Sequence, residues 1–231
     1  MSEPRYCRPE VWDRFTTQVP LLHHTQGLVE AASAVAWQID PAIKIDEVGV
    51  NLDALAVLCS RGLKSHSPTA AVAHMHRELF EELGFTGNTE DYYTPRNSML
   101  PVVLQSRRGL PVILCLIYKA VGERMGLIVE GVNTPGHFLA AVRTEEDWMI
   151  IDPFQSGRML TVAEAGQLIE NVTGQPLKMT WEDLPIADHP LWLARIILNL
   201  IGIYERNGER QHSAAMKEML QYLTEHCLKR R

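Results

Sequence analysis

The sequence predicts an α+β fold: a helical N-terminal half, a central helix packed on a small antiparallel sheet, and a C-terminal αα-hairpin. Three observations predict it. Apolar residues recur at helical spacing through the N-terminal half, the period shortens toward two after Gly126, and two amphipathic stretches joined at Gly208 follow Pro190.

The N-terminal helices rest on Leu28, Ala32, Val35 and Ala36, then on Leu52, Leu55, Ala56 and Cys59. A third follows Ser67 and Pro68, an N-cap with proline at N1, and carries Val72, Met75, Leu79 and Leu83 on one face before stopping at Gly84. The polar stretch 87–97 reads as turns, and Asn97 or Ser98 caps a short helix that ends before Arg107. Pro111 opens an apolar helix through Leu114, Ile117, Tyr118 and Val121 to Met125, with Gly126 at its stop. It is apolar on most sides until Lys119, as a helix wedged between other elements would be.

Strands are expected over 128–132, 137–143 and 148–152, with a turn at 144–147. If that turn is symmetric, His137 pairs with Asp152, Leu139 with Ile150 and Ala141 with Trp148, all on one face. Phe138, Ala140, Val142, Met149 and Ile151 take the other face, so both faces are largely apolar and the sheet should be covered on both. Thr161 and Glu164 form a capping box before a helix through Leu168 and Ile169. Residues 185–190 read as a linker. The final hairpin sets Leu193, Ile196, Ile197, Leu200, Ile203 and Tyr204 against Met216, Met219, Leu220 and Leu223, with the length of one degenerate tetratricopeptide-like unit. The expected domains are 1–186, helical over 1–108 with the core at 109–186, and the hairpin 187–231.

Composition narrows the function. At 231 residues, 46% of them hydrophobic, the chain can bury a proper core. Its net charge of -6 is spread along the chain and gives no footprint for nucleic acid. The basic cluster Lys229, Arg230 and Arg231 suits a solvated helix end. Cys7, Cys59, Cys115 and Cys227 show no CxxC or Cys/His metal spacing and come without a secretory leader, so a reducing cytoplasm is expected. No run approaches the roughly twenty apolar residues that span a bilayer. HExxH and a Gly-rich phosphate loop are both lacking, so neither metal nor cofactor is expected.

A histidine held by a carboxylate is the orienting half of a nucleophilic triad. His137 and Asp152 meet that demand, and the same spacing also suits a buried histidine bonded to aspartate for structure alone. Their local sequence is distinctive. Gly84-Phe85-Thr86-Gly87-Asn88, Tyr93-Thr94-Pro95-Arg96-Asn97-Ser98, Arg107-Arg108-Gly109-Leu110-Pro111, Pro135-Gly136-His137-Phe138-Leu139 and Ile151-Asp152-Pro153-Phe154 resemble the bacterial SirB-type branch of the transglutaminase-like superfamily. The resemblance covers roughly Leu28 to the end. It implies a papain-like α+β core in which a central helix carries cysteine at its N-terminus and packs on a sheet supplying His and Asp.

The chain departs from that pattern at one position. Active members resemble one another in a Gly-x-Cys helix start, which here reads Gly109-Leu110-Pro111. Proline has no nucleophilic side-chain atom, yet it is a good N1 residue. Cys115, one turn later on the same face and about 6 Å along the axis, is the alternative nucleophile. A thiol a full turn in loses the helix N-terminus, and one among Leu114, Leu116 and Ile117 reads as a small buried hydrophobe. Arg107 and Arg108 ahead of the helix could hold an anion or pair on the surface. Tyr92 and Tyr93 could line the same cleft or simply pack under it, and Asn97 could line it.

Two functions follow as expectations. One is a non-catalytic protein that binds a peptide or protein partner through a cleft floored by His137 and Asp152, with Pro111, Arg107, Arg108, Asn97 and Tyr93 around it. The other is an acyl-transfer or amide-hydrolysing enzyme using Cys115, His137 and Asp152. Self-association through the C-terminal helices is a further expectation.

Overall fold

The computed structural model describes residues 3–65, 67–145, 147–174, 180, 182 and 184–228; Glu146 of the expected turn and the basic cluster 229–231 lie outside them. The chain divides into two compact units, one of residues 1–48, 89–106 and 188–231, the other of 49–88 and 107–187.

The first unit is helical. It contains α1 (Pro9–Gln18) and α2 (Thr25–Ile39), and the boundary with the second unit falls within α3 (Glu47–Ser60). After α4 (Pro68–His76) of the other unit, the chain returns to it with α5 (Leu100–Ser106) and, later, the C-terminal hairpin described below. Residues 1–48 and 89–106 group with the C-terminal hairpin and not with the sheet core. The reason is packing: Trp12 meets Tyr222 edge-on at 5.2 Å, and the Glu218 carboxylate accepts the N–H groups of Arg5, Tyr6 and Cys7 at 2.6, 2.9 and 2.8 Å.

In the second unit, Ser67 caps α4 by accepting from Ala70 N at 3.1 Å. The helix then widens into a π-helical stretch, Arg77–Glu82, which keeps Leu79 buried and leaves Leu83 half-buried, so the apolar stripe ends early. Two short parallel strands, β1 (Thr86–Gly87) and β2 (Arg108–Gly109), precede α6 (Pro111–Arg124). The main sheet has the order β6 (Arg158–Leu160), β5 (Trp148–Asp152), β4 (Leu139–Arg143), β3 (Val129–Val132) and β7 (Ile186–Ala187), all antiparallel.

The sheet is covered on both faces. Val132, Leu139, Ala141, Ile150 and Leu160 meet Ala165 and Leu168 of α7 (Val162–Thr173), whose Thr161–Glu164 capping box forms. On the other face α6 comes so close that a Cβ on Gly122 would lie 2.9 Å from Val129 Cγ2. Each fully buried aliphatic side chain in such a sandwich contributes roughly 1.5–3 kcal/mol. Lys119 of α6 is 3% exposed; its ammonium donates to the Val129 carbonyl and pairs with Glu123 at 2.8 Å and Glu130 at 3.5 Å.

Three expectations need correction. The β4–β5 register joins Arg143 to Trp148 and Ala141 to Ile150, two residues away from the expected pairing of Ala141 with Trp148. Thr144 closes the turn on Asp147, with N–H···O at 2.8 Å and Oγ1–H···O at 2.6 Å, so pairing begins directly at the turn. A two-residue slip preserves faces, because side chains alternate with period two. Second, Asn97 does not cap α5; it lies in a 3-10 turn, Pro95–Ser98, and its amide donates to the Asp91 and Tyr92 carbonyls at 2.7 and 3.1 Å. Third, the stretch 185–190 is no linker. Ile186 and Ala187 pair with Val132 and Gly131, and Asp188 caps α8 (His189–Asn207) through Leu191 N at 2.8 Å. Pro190 sits in the first helical turn, where its missing N–H costs nothing. α9 (Arg210–Leu223) completes the αα-hairpin.

Candidate functional site

His137 lies in the loop between β3 and β4, just ahead of the strand. Buried Thr134 fixes the loop by donating its hydroxyl to the His137 carbonyl at 3.0 Å, and Gly136 adopts a φ of 71° that a larger residue would resist. Asp152 ends β5 and caps the 3-10 turn Pro153–Gln155: Oδ1 accepts from Phe154 N at 3.0 Å and Gln155 N at 3.4 Å. Its other oxygen, Oδ2, is 3.0 Å from His137 Nε2. Asp152 is 0% exposed and His137 8%.

An ionised carboxylate can only accept, so the neutral imidazole gives Asp152 its Nε2–H and carries its lone pair on Nδ1. Nδ1 has no hydrogen-bond partner among the described residues. The Phe154 ring stands edge-on to His137 at 5.9 Å. That ring occupies the space beside Gly87, where a Cβ would come within 2.4 Å of it. The sequence reading singled out neither Phe154, Gly87 nor Thr134 as a site residue. Gly87 and Phe154 stood inside the quoted motifs, and a glycine three residues past a helix-ending glycine was the available signal.

Pro111 is the buried first residue of α6, and the preceding Leu110 supplies no side-chain cap. Cys115 is 0% exposed, and its Sγ donates to the Phe138 carbonyl at 3.5 Å. Among the described residues it makes no hydrogen bond to the His137 ring. Burial, and then the charge of Asp152, hold the thiol well above its ordinary pKa. The thiolate, which is the nucleophilic form, is therefore suppressed.

Arg107, just ahead of β2, has a positive φ of 61° and donates to the Leu83 carbonyl at the end of the π-helical stretch at 2.9 Å. Arg108 is exposed on β2. Asn97 and Tyr93 belong to the helical unit. There Asn97 braces its own loop, and Tyr93, 53% exposed, lies under the Arg206 guanidinium at 4.1 Å. Among the described residues no group of three or more His, Cys, Asp or Glu side chains gathers as a metal site, and no helix is long and apolar enough to cross a membrane.

No solved structure matches. A UPF0162 protein of Xylella fastidiosa is 34% identical over 146 residues, covering 62% of this chain and 52% of the relative. A UPF0162 protein of Pseudomonas aeruginosa is 28% identical over 189 residues, 82% of this chain and 69% of that one. Human F-box only protein 21 is 31% identical over 154 residues, 63% of this chain and 24% of its own length. The chain spans about half the length of the first of these relatives. The family model for the transglutaminase-like superfamily matches residues 46–198, which include His137, Asp152, Cys115 and Pro111. With that model covering more than half of its length, the chain belongs to the transglutaminase-like superfamily.

Proposed function

We propose that this chain is a non-catalytic transglutaminase-like protein that binds a peptide or protein partner, with the outward edge of the His137–Asp152 pair as its polar contact. The observation that carries this reading is the state of the helix start. Proline stands at the position where the superfamily pattern implies cysteine, and the nearest thiol, Cys115, is sealed among apolar residues and bonded to the Phe138 carbonyl. A base without a nucleophile cannot begin acyl transfer. The imidazole is still fixed in one tautomer, and its Nδ1 lone pair accepts one hydrogen bond from an amide or hydroxyl. A fixed acceptor framed by the Phe154 ring suits recognition of a polypeptide N–H.

The enzyme reading through Cys115 has less support, because its thiol is undissociated and already engaged. Self-association through the C-terminal helices stays part of the proposal: Leu191 and Leu198 of α8 are 38% and 50% exposed and lie seven residues apart, on one helix face.

Two assays test the function together. Selection from a displayed peptide library should enrich sequences whose binding falls about tenfold, one hydrogen bond's worth, in His137→Ala. A panel of amidase, protease and acyl-transfer substrates should give no turnover. Turnover abolished by both Cys115→Ala and His137→Ala would replace the binding module with an enzyme.

A further inference from the structure

The two valines of α3 stand out in the second unit. Val50 is 68% exposed and Val57 66%, more than any other large hydrophobic side chain among the described residues. They lie seven residues apart with exposed Ala54 between them, a spacing that sets all three on one helix face. Leu52, Ala56 and Cys59 take the buried side of the same helix. The core therefore uses one side of α3 and leaves a continuous aliphatic stripe on the other.

Charge along this stripe is polarised. Asp53 lies one turn before Val57 and Arg61 one turn after it, both exposed, and exposed Lys64 follows. Asp53 Oδ1 accepts from Arg124 Nε at 2.6 Å, yet its side chain stays 67% exposed, so the carboxylate can take a second cation. Neither Arg61 nor Lys64 makes an ion pair among the described residues. A helix C-terminus favours cations by itself. It gives no reason for the apolar face beside them.

A second copy of the chain, laid antiparallel along α3, satisfies both features at once. A two-fold contact presents one patch to itself, so whatever Asp53 needs must come from the same stripe. With Val57 opposite Ala54 of the second copy, Val50 meets the aliphatic stem of Arg61. The position opposite Asp53 is then residue 58 of the second copy, and Arg61 lies three residues beyond it, about 4.5 Å along the axis and within reach of a guanidinium. By symmetry that ion pair forms twice. A parallel pairing would instead set Asp53 against Asp53 and Arg61 against Arg61. A groove of about 510 Å³ beside the stripe, lined by Asp53, Val57, Ser60, Arg61 and Arg124, has room for the incoming side chain.

We propose that the exposed face of α3 is a self-pairing surface on which a second copy of this chain docks antiparallel, with Val50, Ala54 and Val57 at its apolar centre and Asp53 crossing to Arg61 of the other copy. This surface is separate from the C-terminal helices. A helix of 14 residues is about 21 Å long, too short to bury the roughly 1,200 Å² of a standard interface, so the dimer is weak and fills only at high protein concentration.

Sedimentation equilibrium of the full chain from about 10 μM to 1 mM tests it. A monomer–dimer equilibrium should appear within that range. Val57→Glu should weaken it more than tenfold, because the dimer loses two buried valines, while Leu198→Glu on α8 should leave it intact. Arg61→Glu and Asp53→Lys should each weaken it about tenfold through the two crossed pairs, and the double variant should restore it. All four positions are exposed, so thermal melts of the variants should match the parent. A chain that stays monomeric throughout overturns the proposal along with self-association of any kind. A dimer that survives Val57→Glu but is lost with Leu198→Glu overturns this surface alone and assigns pairing to the C-terminal helices. A double charge swap that fails to restore the dimer overturns the antiparallel register.

Discussion

Two histidines of the sheet unit are each held through Nε2, yet their settings are chemically opposite. His137 meets the Asp152 carboxylate at 3.0 Å, whereas His76 meets the Tyr118 hydroxyl at 2.9 Å with the Phe80 ring edge-on at 5.2 Å. A carboxylate offers an imidazole a counter-charge and fixes its tautomer; a phenol offers a hydrogen bond and no charge. Burial therefore acts unopposed on His76 and lowers its pKa to about 4. Burial is common to both, and the partner is what differs.

The largest effect that would break this contrast is at Asp152. Replacing it with alanine strips His137 of its partner and the Pro153–Gln155 turn of its cap, and should cost about 3 kcal/mol in urea unfolding. Asp152→Asn keeps the cap acceptor and should lose clearly less. A loss below about 1 kcal/mol for alanine would mean the carboxylate is as dispensable as a surface charge.

The His76 arm is tested by pH. Its folded pKa lies below the ordinary 6.5, so the unfolded chain takes up the proton first as pH falls. Stability present at neutral pH should then decline between pH 6.5 and 4, by on the order of 2–3 kcal/mol. His76→Gln should flatten that part of the profile; an unchanged profile would assign the decline to other groups.

Gly87→Ala sharpens the first setting from outside, because the new methyl strikes the Phe154 ring that frames His137. A thermal melt should report a cost of about 2 kcal/mol, partly recovered by Phe154→Leu. The smallest effect is at Cys115. Alanine there should cost about 1 kcal/mol, and iodoacetamide should label half-exposed Cys227 while sparing buried Cys115 until the chain unfolds.

Much of this was legible in the residues. The Thr161–Glu164 box, the proline openings at 68 and 111 and the glycine stop at 208 are local devices, and each formed where its chemistry placed it. The two-faced apolar pattern of 138–151 announced a sheet covered on both sides. Register escaped because it depends on how tightly Thr144 closes on Asp147, a side-chain contact that periodicity does not encode. The strand at Ile186 escaped because two prolines flank it, and its hydrogen bonds come from the distant Gly131 and Val132. Arg107 and Asn97, chosen for charge and loop position, donate to the carbonyls of Leu83 and Asp91, side-chain-to-backbone contacts that charge and loop position do not encode.

The ammonium of Lys119, enclosed by α6 and gripped by Glu123, Glu130 and a strand carbonyl, has an evolutionary consequence. Losing the cation alone leaves two half-covered anions facing each other, and losing one anion leaves the cation short of its counter-ion. Those three positions should change together or stay put across descendants, which makes their joint variation a readable trace of whether α6 keeps its seat on the sheet.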